Sequence, residues 1–361
     1  MSEKRALQAI RQKIDDIDLQ VQVLLNQRAN MAQEVANIKI ANGEQTDFYR
    51  PDREAMVLRQ VMERNQGPLD SQEMARLFRE IMSACLAAEK PLQVAYLGPE
   101  GSFTQGATLK QFGGSIAPKP MSTISDVFNA VEQGNANYGV VPVENSTEGM
   151  VSHTLDRFIT TPLKINGEIS LRIHHYLLSK ETSLSDVVKI YSHPQALAQC
   201  RQWLANHCPD CELIAVNSNS KAAEMVASER GSAAIAANKA AEIYYLVTLA
   251  SNIEDEVDNT TRFLVIGRQD ISPSGHDKTA LLVSTKNEPG ALNTILEPLA
   301  KSGITMTRIE SRPSRQGVWE YVFFIDIEGH REDSNIAKAL AELKEASSMF
   351  KVLGSYPKAV L

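Results

Sequence analysis

Two basic side chains on the first predicted helix have the spacing of an anion clamp. Arg28 and Lys39 are 11 residues apart, so on an α-helix they lie within roughly 20° of one face and about 16 Å apart along the axis. Two long cationic side chains at that separation can close around a small dicarboxylate. Arg11 lies about 25 Å before Arg28 and about 100° around the helix, so we expect it to serve a site on a partner helix. The alternative is that all three are solvated cations of a helix surface.

Polar turns follow three predicted strands in the middle of the chain. The strands Val94–Leu97, Tyr138–Val143 and Ile190–Ser192 are followed by the sequences GPEG, ENS and HPQA, and each turn leads into a helix. This order is typical of α/β domains, whose ligands bind at the carboxyl ends of the strands. Helix N-termini at that edge can hold anionic groups although the chain has no general excess of basic residues.

The four cysteines include a single CxxC motif, Cys208-Pro-Asp-Cys211, with Cys200 and His207 nearby. Zinc binding or redox chemistry is one interpretation. A structural zinc site usually needs a second pair of ligands at a defined spacing, and none follows in the sequence. We therefore expect reduced thiols on a loop after a helix, and we expect no metal, nucleotide or flavin cofactor.

Three segments with different periodicities have to position these residues. Residues 1 to about 90 predict three helices. The first is long and ends at Asn42-Gly43, the second runs from about Pro51 to Asn65, and Asp70 opens a third that runs to about Glu89. A helix of nearly 40 residues is about 55 Å long, and two short partners cannot cover its apolar face. Pairing with a second chain is therefore expected.

The rest of the chain predicts one α/β segment and one smaller unit. Residues 93 to about 270 alternate strands and helices, and a linker is predicted from Gln269 to Lys278. Residues 278–361 have the order βαββαβ, which suggests a ferredoxin-like unit. Its elements are predicted at Thr279–Thr285, Ala291–Ser302, Ile304–Glu310, Trp319–Ile327, Ser334–Ser348 and Phe350–Tyr356.

The composition excludes several classes of protein. A length of 361 residues suggests two or three domains, and 43% hydrophobic with 22% charged residues argues against disorder. With 37 basic and 44 acidic residues the net charge is −7, which disfavours general binding to nucleic acid or anionic membranes. No apolar run approaches the roughly 20 residues that span a bilayer, and the charged N-terminus lacks the apolar core of a secretory signal. We expect a cytoplasmic protein without nucleic-acid or membrane partners.

Residues 1–91 resemble the intertwined, all-helical class of chorismate mutases. The resemblance lies in LQAIRQKID from Leu7, LNQR up to Arg28, IKI around Lys39 and YRPDRE from Tyr49. It implies a homodimer in which Arg11 comes from the second subunit. Chorismate rearranges to prephenate without a nucleophile or a metal, so positioning and fixed cations carry the catalysis.

The resemblance also implies the roles of the side chains in this first segment. Arginines hold the substrate carboxylates, Glu54 holds the hydroxyl and Lys39 contacts the ether oxygen. The predicted substrate-binding set is Arg11, Arg28, Lys39, Arg50, Arg53, Glu54, Cys85 and Glu89, and the predicted catalytic members are Lys39, Glu54 and Glu89.

Three of these positions depart from the best-known pattern of the family. Cys85 replaces a Ser, Glu89 replaces a Gln, and Arg50 stands where an Asp is sometimes found. A Gln donates to the ether oxygen at any pH, whereas a Glu donates only when it is protonated. We therefore expect mutase turnover to improve as the pH falls below neutrality.

Residues 92–270 resemble prephenate dehydratase in four motifs: GPEGSFT from Gly98, PVENSTEG from Pro142, SHPQA from Ser192 and TRF from Thr261. The resemblance implies two α/β lobes with a cleft between them, as in periplasmic binding proteins. Loss of carbon dioxide from prephenate pushes electrons into the ring and expels hydroxide, which leaves phenylpyruvate. The site therefore needs a hydrogen-bond donor at the leaving hydroxyl.

The resemblance implies this role for Thr261 of the TRF motif, which we expect to act by a hydrogen bond or through water. The residues expected to bind prephenate are Ser102, Thr104, Glu144, Asn145, Ser146, Thr147, Thr261, Arg262 and Phe263. Asn145 and Ser146 could instead cap a helix, and His193 is expected to be a turn residue.

Residues 278–361 resemble an ACT regulatory domain, which implies phenylalanine as an effector bound at a dimer interface. The predicted effector-binding residues are Gly290, Ala291, Leu292, Asn293, Glu310, Ser311, Arg312 and Pro313. A helix N-terminus at Gly290 suits a carboxylate, and exposed backbone beside Glu310 suits an ammonium group. Asn293 replaces the usual Val. Alternatively, the Gly-Ala pair merely allows a helix to pack closely on the sheet.

The leading hypothesis is a bifunctional chorismate mutase and prephenate dehydratase of phenylalanine biosynthesis, inhibited by phenylalanine. One alternative is a non-catalytic amino-acid sensor, against which Arg28, Lys39 and the TRF motif argue. Another is a dehydratase whose helical segment only dimerises. The sequence does not decide whether prephenate is channelled.

Overall fold

The computed structural model describes residues 3–42, 49–88, 90–285, 288–313 and 321–361. Its first part consists of the helices α1 (Glu3–Ala41), α2 (Pro51–Arg64) and α3 (Ser71–Ala87). Pro51 occupies the first turn of α2, and the Asp70 carboxylate caps α3 by accepting from the Gln72 amide. The predicted all-helical segment is confirmed, with each helix ending within two residues of the predicted position.

Helix α1 is largely uncovered in the single chain. Among its 39 residues only Ala36 is buried. Its apolar residues between Leu7 and Ile40, which include Ile10, Ile14 and Ile17, are 37–63% exposed. A contiguous apolar face of this size on a helix is typical of an interface.

The first lobe of the α/β segment is built on a mixed sheet. Its elements in chain order are β1 (Gln93–Leu97), α4 (Phe103–Phe112), β2 (Ala117–Met121), α5 (Ile124–Glu132), β3 (Tyr138–Asn145), β4 (Gly149–Met150), α6 (Ser152–Thr160) and β5 (Lys164–Arg172). The strand order is β2-β1-β3, then the returning strand described below, then β5, with β4 on β3.

The second lobe is a smaller sheet with strand order β10-β6-β9-β7-β8. Its elements are β6 (Tyr176–Ser179), β7 (Lys189–Ser192), α7 (Pro194–Gln199), α8 (Arg201–His207), β8 (Glu212–Ala215), α9 (Asn219–Val226), β9 (Ser232–Ala236), α10 (Asn238–Tyr244) and β10 (Val247–Ser251). The chain then returns to the first lobe as β11 (Thr260–Gly267), between β3 and β5. Two connections therefore join the lobes, and the predicted two-lobed α/β fold is confirmed.

The C-terminal unit has the predicted order βαββαβ. Its elements are β12 (Asp277–Ser284), α11 (Ala291–Lys301), β13 (Met306–Pro313), β14 (Tyr321–Glu328), α12 (Ser334–Ala346) and β15 (Met349–Pro357). The antiparallel sheet has the order β13-β14-β12-β15. Trp319, the predicted start of the third strand, lies outside the described residues.

Both faces of this sheet are buried at its inner strand β12, whose successive side chains alternate between the faces. Leu281 and Val283 pack with the helices α11 and α12, whereas Ala280 and Leu282 belong to the hydrophobic core of the first lobe. The backbones also meet closely, since a Cβ on Gly354 would lie 2.2 Å from the Ile165 carbonyl oxygen. The C-terminal unit and the first lobe thus share one core.

Cys85, Cys200, Cys208 and Cys211 are free thiols. The described residues contain no group of three or more His, Cys, Asp or Glu that could hold a metal ion. No helix in the described ranges is long and apolar enough to cross a bilayer.

Candidate active sites

A cavity of about 530 Å³ lies between the three helices and the first lobe. Six of the residues predicted for the first site line it: Arg28, Lys39, Arg50, Arg53, Glu54 and Cys85. Helix α1 contributes Arg28 and Lys39, helix α2 contributes Arg53 and Glu54, and Arg50 immediately precedes α2. The helical spacing thus brings the two clamp residues to one cavity, as expected.

Arg11 is exposed and does not line this cavity. That position fits the expectation that it serves a second subunit. Glu89 lies outside the described residues. Arg50 makes a two-pronged ion pair with Asp52, with nitrogen–oxygen distances of 3.1 and 2.7 Å, so part of its charge is already balanced.

Glu54 is a largely buried carboxylate of the cavity, with a side chain that is 13% exposed. Its Oε1 lies 3.3 Å from Nε of Arg79 and accepts a 3.4 Å hydrogen bond from the Tyr49 hydroxyl. Burial raises the pKa of Glu54 to about 7, although Arg79 and Tyr49 act in the opposite direction. The side chain therefore titrates in the physiological range. At pH values above this pKa the ionised carboxylate can accept a hydrogen bond from a substrate hydroxyl.

A second cavity of about 240 Å³ lies in the cleft between the lobes. It is lined by four residues of the set predicted to bind prephenate: Thr104, Asn145, Thr261 and Phe263. Helix α4 begins here behind its cap Ser102, whose Oγ accepts from the Gln105 amide, so its N-terminal turn faces the cleft. A polar pocket at the carboxyl ends of β1 and β3 is where α/β sheets bind ligands.

The hydrogen bonds around Asn145 determine which way the Thr261 hydroxyl points. Asn145 Oδ1 accepts from the Thr147 amide and hydroxyl, at 3.1 and 2.6 Å, which assigns its amide orientation. Asn145 Nδ2 then donates to Thr261 Oγ1 at 2.8 Å. Because Thr261 accepts this bond, its own hydroxyl proton is free to be donated to a ligand in the cleft.

Arg262 faces away from the cleft, because side chains alternate along β11. Its Nε donates to Glu168 at 2.9 Å, its Nη1 to Asp326 at 2.8 Å and its Nη2 to Tyr356 at 3.0 Å. Asp326 and Tyr356 belong to the C-terminal sheet. The prediction that Arg262 contacts prephenate therefore disagrees with the structure, in which the residue joins β11 to the C-terminal unit.

The other predicted residues support the cleft rather than line it. Ser102 caps α4, and Ser146 Oγ accepts from the Thr260 amide at 3.0 Å. Thr147 holds Asn145, and Glu144 Oε2 lies 3.7 Å from Nε of Arg308. The side chains of Ser146 and Thr147 are committed to the loop after β3, that of Ser102 to the start of α4 and that of Glu144 to the C-terminal sheet.

Several cleft residues were not predicted from the sequence. They are Phe103, His175, Gln195, Gln199 and Asn219, together with His193, which was expected only as a turn residue and caps α7. Gln195 and Gln199 are four residues apart and so share one face of that short helix. Gln195 belongs to the SHPQA motif, so this spacing could have identified both residues.

His175 lies at the first connection between the lobes and is 1% exposed. Gln199 Oε1 accepts from Asn259 Nδ2 at 3.2 Å, so His175 Nε2, 2.9 Å away, must carry the proton. Burial lowers the pKa of His175. The result is a neutral imidazole whose Nδ1 makes no hydrogen bond within the described residues. No sequence motif marks this residue, because its role depends on the meeting of the two lobes.

The two predicted effector motifs lie at one end of the C-terminal sheet. Ser284 at the end of β12 pairs with Val322, which pairs with Arg312 on β13. Gly290 begins α11 in the left-handed conformation, with φ 82°, and Leu292 beside it is exposed. The two motifs are thus one strand apart, and the first is open to solvent in the single chain.

Strand β13 also contacts the first lobe directly. Arg312 Nη1 donates to Ser152 Oγ at 2.7 Å and its Nη2 lies 3.0 Å from Asp156 Oδ1, both on α6. Arg308 Nη2 donates to the sulfur of Met150 at 3.0 Å. The guanidinium of Arg312, which was predicted to bind the effector, is therefore engaged with α6.

Comparisons with known proteins match all three parts of the chain. Family profiles match as chorismate mutase type II over residues 10–90, prephenate dehydratase over 94–271 and ACT domain over 279–345. The bifunctional chorismate mutase/prephenate dehydratase of Stutzerimonas stutzeri is 55% identical over 365 residues and covers 100% of both chains. The protein of that name from Pseudomonas aeruginosa is 53% identical over 365 residues with the same coverage.

Solved structures agree with these matches. The crystal structure of prephenate dehydratase from Arthrobacter aurescens in complex with L-Phe is 35% identical and has a TM-score of 0.69. It covers 74% of this chain and 90% of that one.

Proposed function

We propose a division of labour between the cavities of this chain, which belongs to the bifunctional chorismate mutase/prephenate dehydratase family. The protein is an isomerase and a lyase in one polypeptide. We assign the mutase to residues 1–91, the dehydratase to residues 92–270 and regulation to residues 278–361. The expected compartment is the cytoplasm, where its four free thiols stay reduced.

In the mutase cavity, Arg28 and Arg53 hold the carboxylates of chorismate and Lys39 stabilises charge on the breaking ether oxygen. Ionised Glu54 accepts a hydrogen bond from the substrate hydroxyl. Arg11 of a second copy completes the site in a homodimer. The exposed apolar face of α1 supports this pairing, since it has no cover within one chain.

In the dehydratase cleft, Thr261 donates its hydroxyl proton in a hydrogen bond to the departing hydroxyl of prephenate while carbon dioxide leaves. The observation that carries this assignment is the 2.8 Å hydrogen bond from Asn145 to Thr261, which orients the hydroxyl by occupying its acceptor side. Neutral His175 and the N-terminal turn of α4 supply further polar contacts in the cleft. Phenylpyruvate is the product, which places the enzyme in phenylalanine biosynthesis.

Phenylalanine then acts as the feedback inhibitor at the ACT unit. Its carboxylate suits the start of α11 at Gly290 and its ammonium suits Glu310. The relative from Arthrobacter aurescens, described in complex with L-Phe, supports this effector. Two ionic links would transmit the binding: Arg312 to Asp156 on α6, and Arg262 to Asp326 across the shared core.

The test is an assay that starts from chorismate and separates prephenate from phenylpyruvate, applied to Thr261→Ala. We expect the variant to form prephenate normally and to lose phenylpyruvate formation by about 10²- to 10⁴-fold, the usual contribution of a catalytic proton donor. Thr260→Ala is the matched control, because Thr260 is the same residue type one position earlier and does not line the cleft. Near-normal phenylpyruvate formation by Thr261→Ala would contradict the assignment.

A further inference from the structure

The Glu54 carboxylate contacts two buried residues to which the proposed mutase mechanism gives no role. Arg79 on α3 is 6% exposed and Tyr49 is 4% exposed. Both approach the same carboxylate oxygen, at 3.3 and 3.4 Å. The Arg79 contact is an ion pair whose N–H is not aligned for a hydrogen bond. The two groups hold the carboxylate in place, and Tyr49 also lines the mutase cavity.

Both supporting residues are in turn held by helix α4 of the dehydratase segment. Arg79 Nη1 donates to the backbone oxygen of Lys110 at 2.8 Å. Gln111 Nε2 donates to the Tyr49 hydroxyl oxygen at 3.0 Å. Because that oxygen accepts from Gln111, the Tyr49 hydroxyl proton is directed to Glu54. The position of Glu54 thus depends on two long-range hydrogen bonds. They join residues that are 31 positions apart for Arg79 and 62 positions apart for Tyr49.

The dehydratase segment also forms part of the wall of the mutase cavity. Phe112, Ser115 and Ile116 line that cavity. The Tyr49 ring packs against Phe112, with ring centres 5.1 Å apart, and against Tyr138 at 5.3 Å. An aromatic contact of this kind fixes the ring and therefore the hydroxyl. The mutase cavity is built by both segments.

We infer that Arg79 and Tyr49 are positioning residues for the mutase reaction, and that the dehydratase segment keeps both in place through the Lys110 backbone and Gln111. The inference rests on the proposed role of Glu54 as acceptor of the substrate hydroxyl. An acceptor must be ionised and correctly oriented, and a buried carboxylate loses its charge unless an opposite charge or a hydrogen-bond donor stabilises it.

Other charged groups around Glu54 set the background for its titration. On the cavity side they are Arg28, Lys39, Arg50, Asp52 and Arg53. On the opposite side, Glu168 and Lys358 line the small gap that also contains Glu54 and Arg79. Arg79 and Tyr49 are the groups in direct contact with the carboxylate, so their removal should have the larger effect.

The experiment compares mutase kcat/KM against pH for the full-length wild type, Arg79→Gln, Tyr49→Phe and Gln111→Leu. In the free enzyme the acidic limb reports the ionisation of Glu54. Removing Arg79 should raise the pKa of Glu54, so the limb moves to higher pH by about one unit, with about a fivefold loss at pH 7 and about a tenfold loss further down the acidic limb. Tyr49→Phe and Gln111→Leu should move it in the same direction by less.

The matched control is Glu80→Ala. Glu80 follows Arg79 on α3 and its Oε2 accepts from the Gly114 amide at 2.9 Å, so it links the same two segments without touching Glu54. Its acidic limb should stay in place. Dehydratase activity with added prephenate checks that each variant is folded, and Tyr49→Phe keeps the test decisive if Arg79→Gln does not fold.

Two results would overturn the inference: an unmoved limb in Arg79→Gln and Tyr49→Phe, or an equal shift in Glu80→Ala, which would indicate general loosening. Glu54→Gln separates this from a failure of the proposed function. If Glu54→Gln removes the limb while the Arg79 and Tyr49 variants keep it, only the inference fails. If Glu54→Gln keeps both the limb and the activity, the role of Glu54 itself is wrong.

Discussion

Two carboxyl groups of the mutase site place opposite demands on pH. Glu54 must be ionised to accept the substrate hydroxyl, and burial raises its pKa to about 7. Glu89 must be protonated to donate to the ether oxygen. We therefore expect activity to fall in acid as Glu54 gains a proton and, with Glu89 as the proposed donor, to fall in alkali as Glu89 loses one. The expected improvement below neutrality is thus limited by Glu54, and the profile becomes bell-shaped.

Replacing Glu89 by Gln should remove the alkaline limb of the mutase profile, because an amide donates at every pH. The acidic limb, which belongs to Glu54, should remain. The measurement is a pair of kcat/KM profiles from pH 5 to 9, wild type and Glu89→Gln. If the two curves have the same shape, Glu89 is not the donor to the ether oxygen.

At the scale of elements, strand β13 links the predicted effector motif that it carries to the loop after β3. Arg308, Glu310 and Arg312 are partly buried on it, whereas the intervening Ile309 and Ser311 are exposed. The charged side of the strand therefore lies on the first lobe, and the other side is exposed to solvent. Arg312 pairs with α6, which follows the loop that carries Asn145 and Thr147. A shift of β13 on effector binding would therefore move Asn145 and Thr147, which orient the Thr261 hydroxyl.

Asp156→Asn should weaken inhibition by phenylalanine without changing the uninhibited dehydratase rate. Asp156 lies on α6, outside the effector motifs, and its carboxylate is 3.0 Å from Arg312. Allosteric coupling is typically about 5- to 150-fold in affinity, so the concentration of phenylalanine for half inhibition should rise within that range. Asp210→Asn, an exposed carboxylate of the second lobe, serves as control. An unchanged phenylalanine response in Asp156→Asn would exclude this route.

At the scale of the whole molecule, the single chain leaves one long apolar helix face uncovered. Burial of a Leu or Ile side chain contributes roughly 1.5–3 kcal/mol, so a second α1 laid along this face would gain many such contributions. The same pairing would bring the Arg11 of one chain near the Arg28 of the other. Dimerisation and mutase activity are therefore expected to be inseparable.

Mixing Arg11→Ala and Arg28→Ala proteins should restore mutase activity that neither has alone. In a mixed dimer one site combines the intact Arg28 of one chain with the intact Arg11 of the other. With random exchange about half of the dimers are mixed and half of their sites are intact, so about a quarter of wild-type activity is expected. Verified subunit exchange without any recovery would count against a site shared between subunits.

Much of this organisation follows from local patterns. A 3.6-residue period predicted α1 to α3, and the resemblance of the PVENSTEG and TRF motifs to prephenate dehydratase pointed to Asn145 and Thr261. The clamp of Arg28 and Lys39 followed from helix geometry alone. These features are short-range, so the amino-acid sequence by itself determined them.

The tertiary structure decided the direction and partners of the side chains. Alternation along β11 separates Thr261 from Arg262, but only the packing of the C-terminal sheet shows that Arg262 is paired with Asp326, 64 residues away. Arg79 and Lys110 belong to different segments, and nothing local relates them. His175 and Gln199 meet only because two lobes close on each other. Such contacts depend on which surfaces become buried together, and burial is a property of the whole fold.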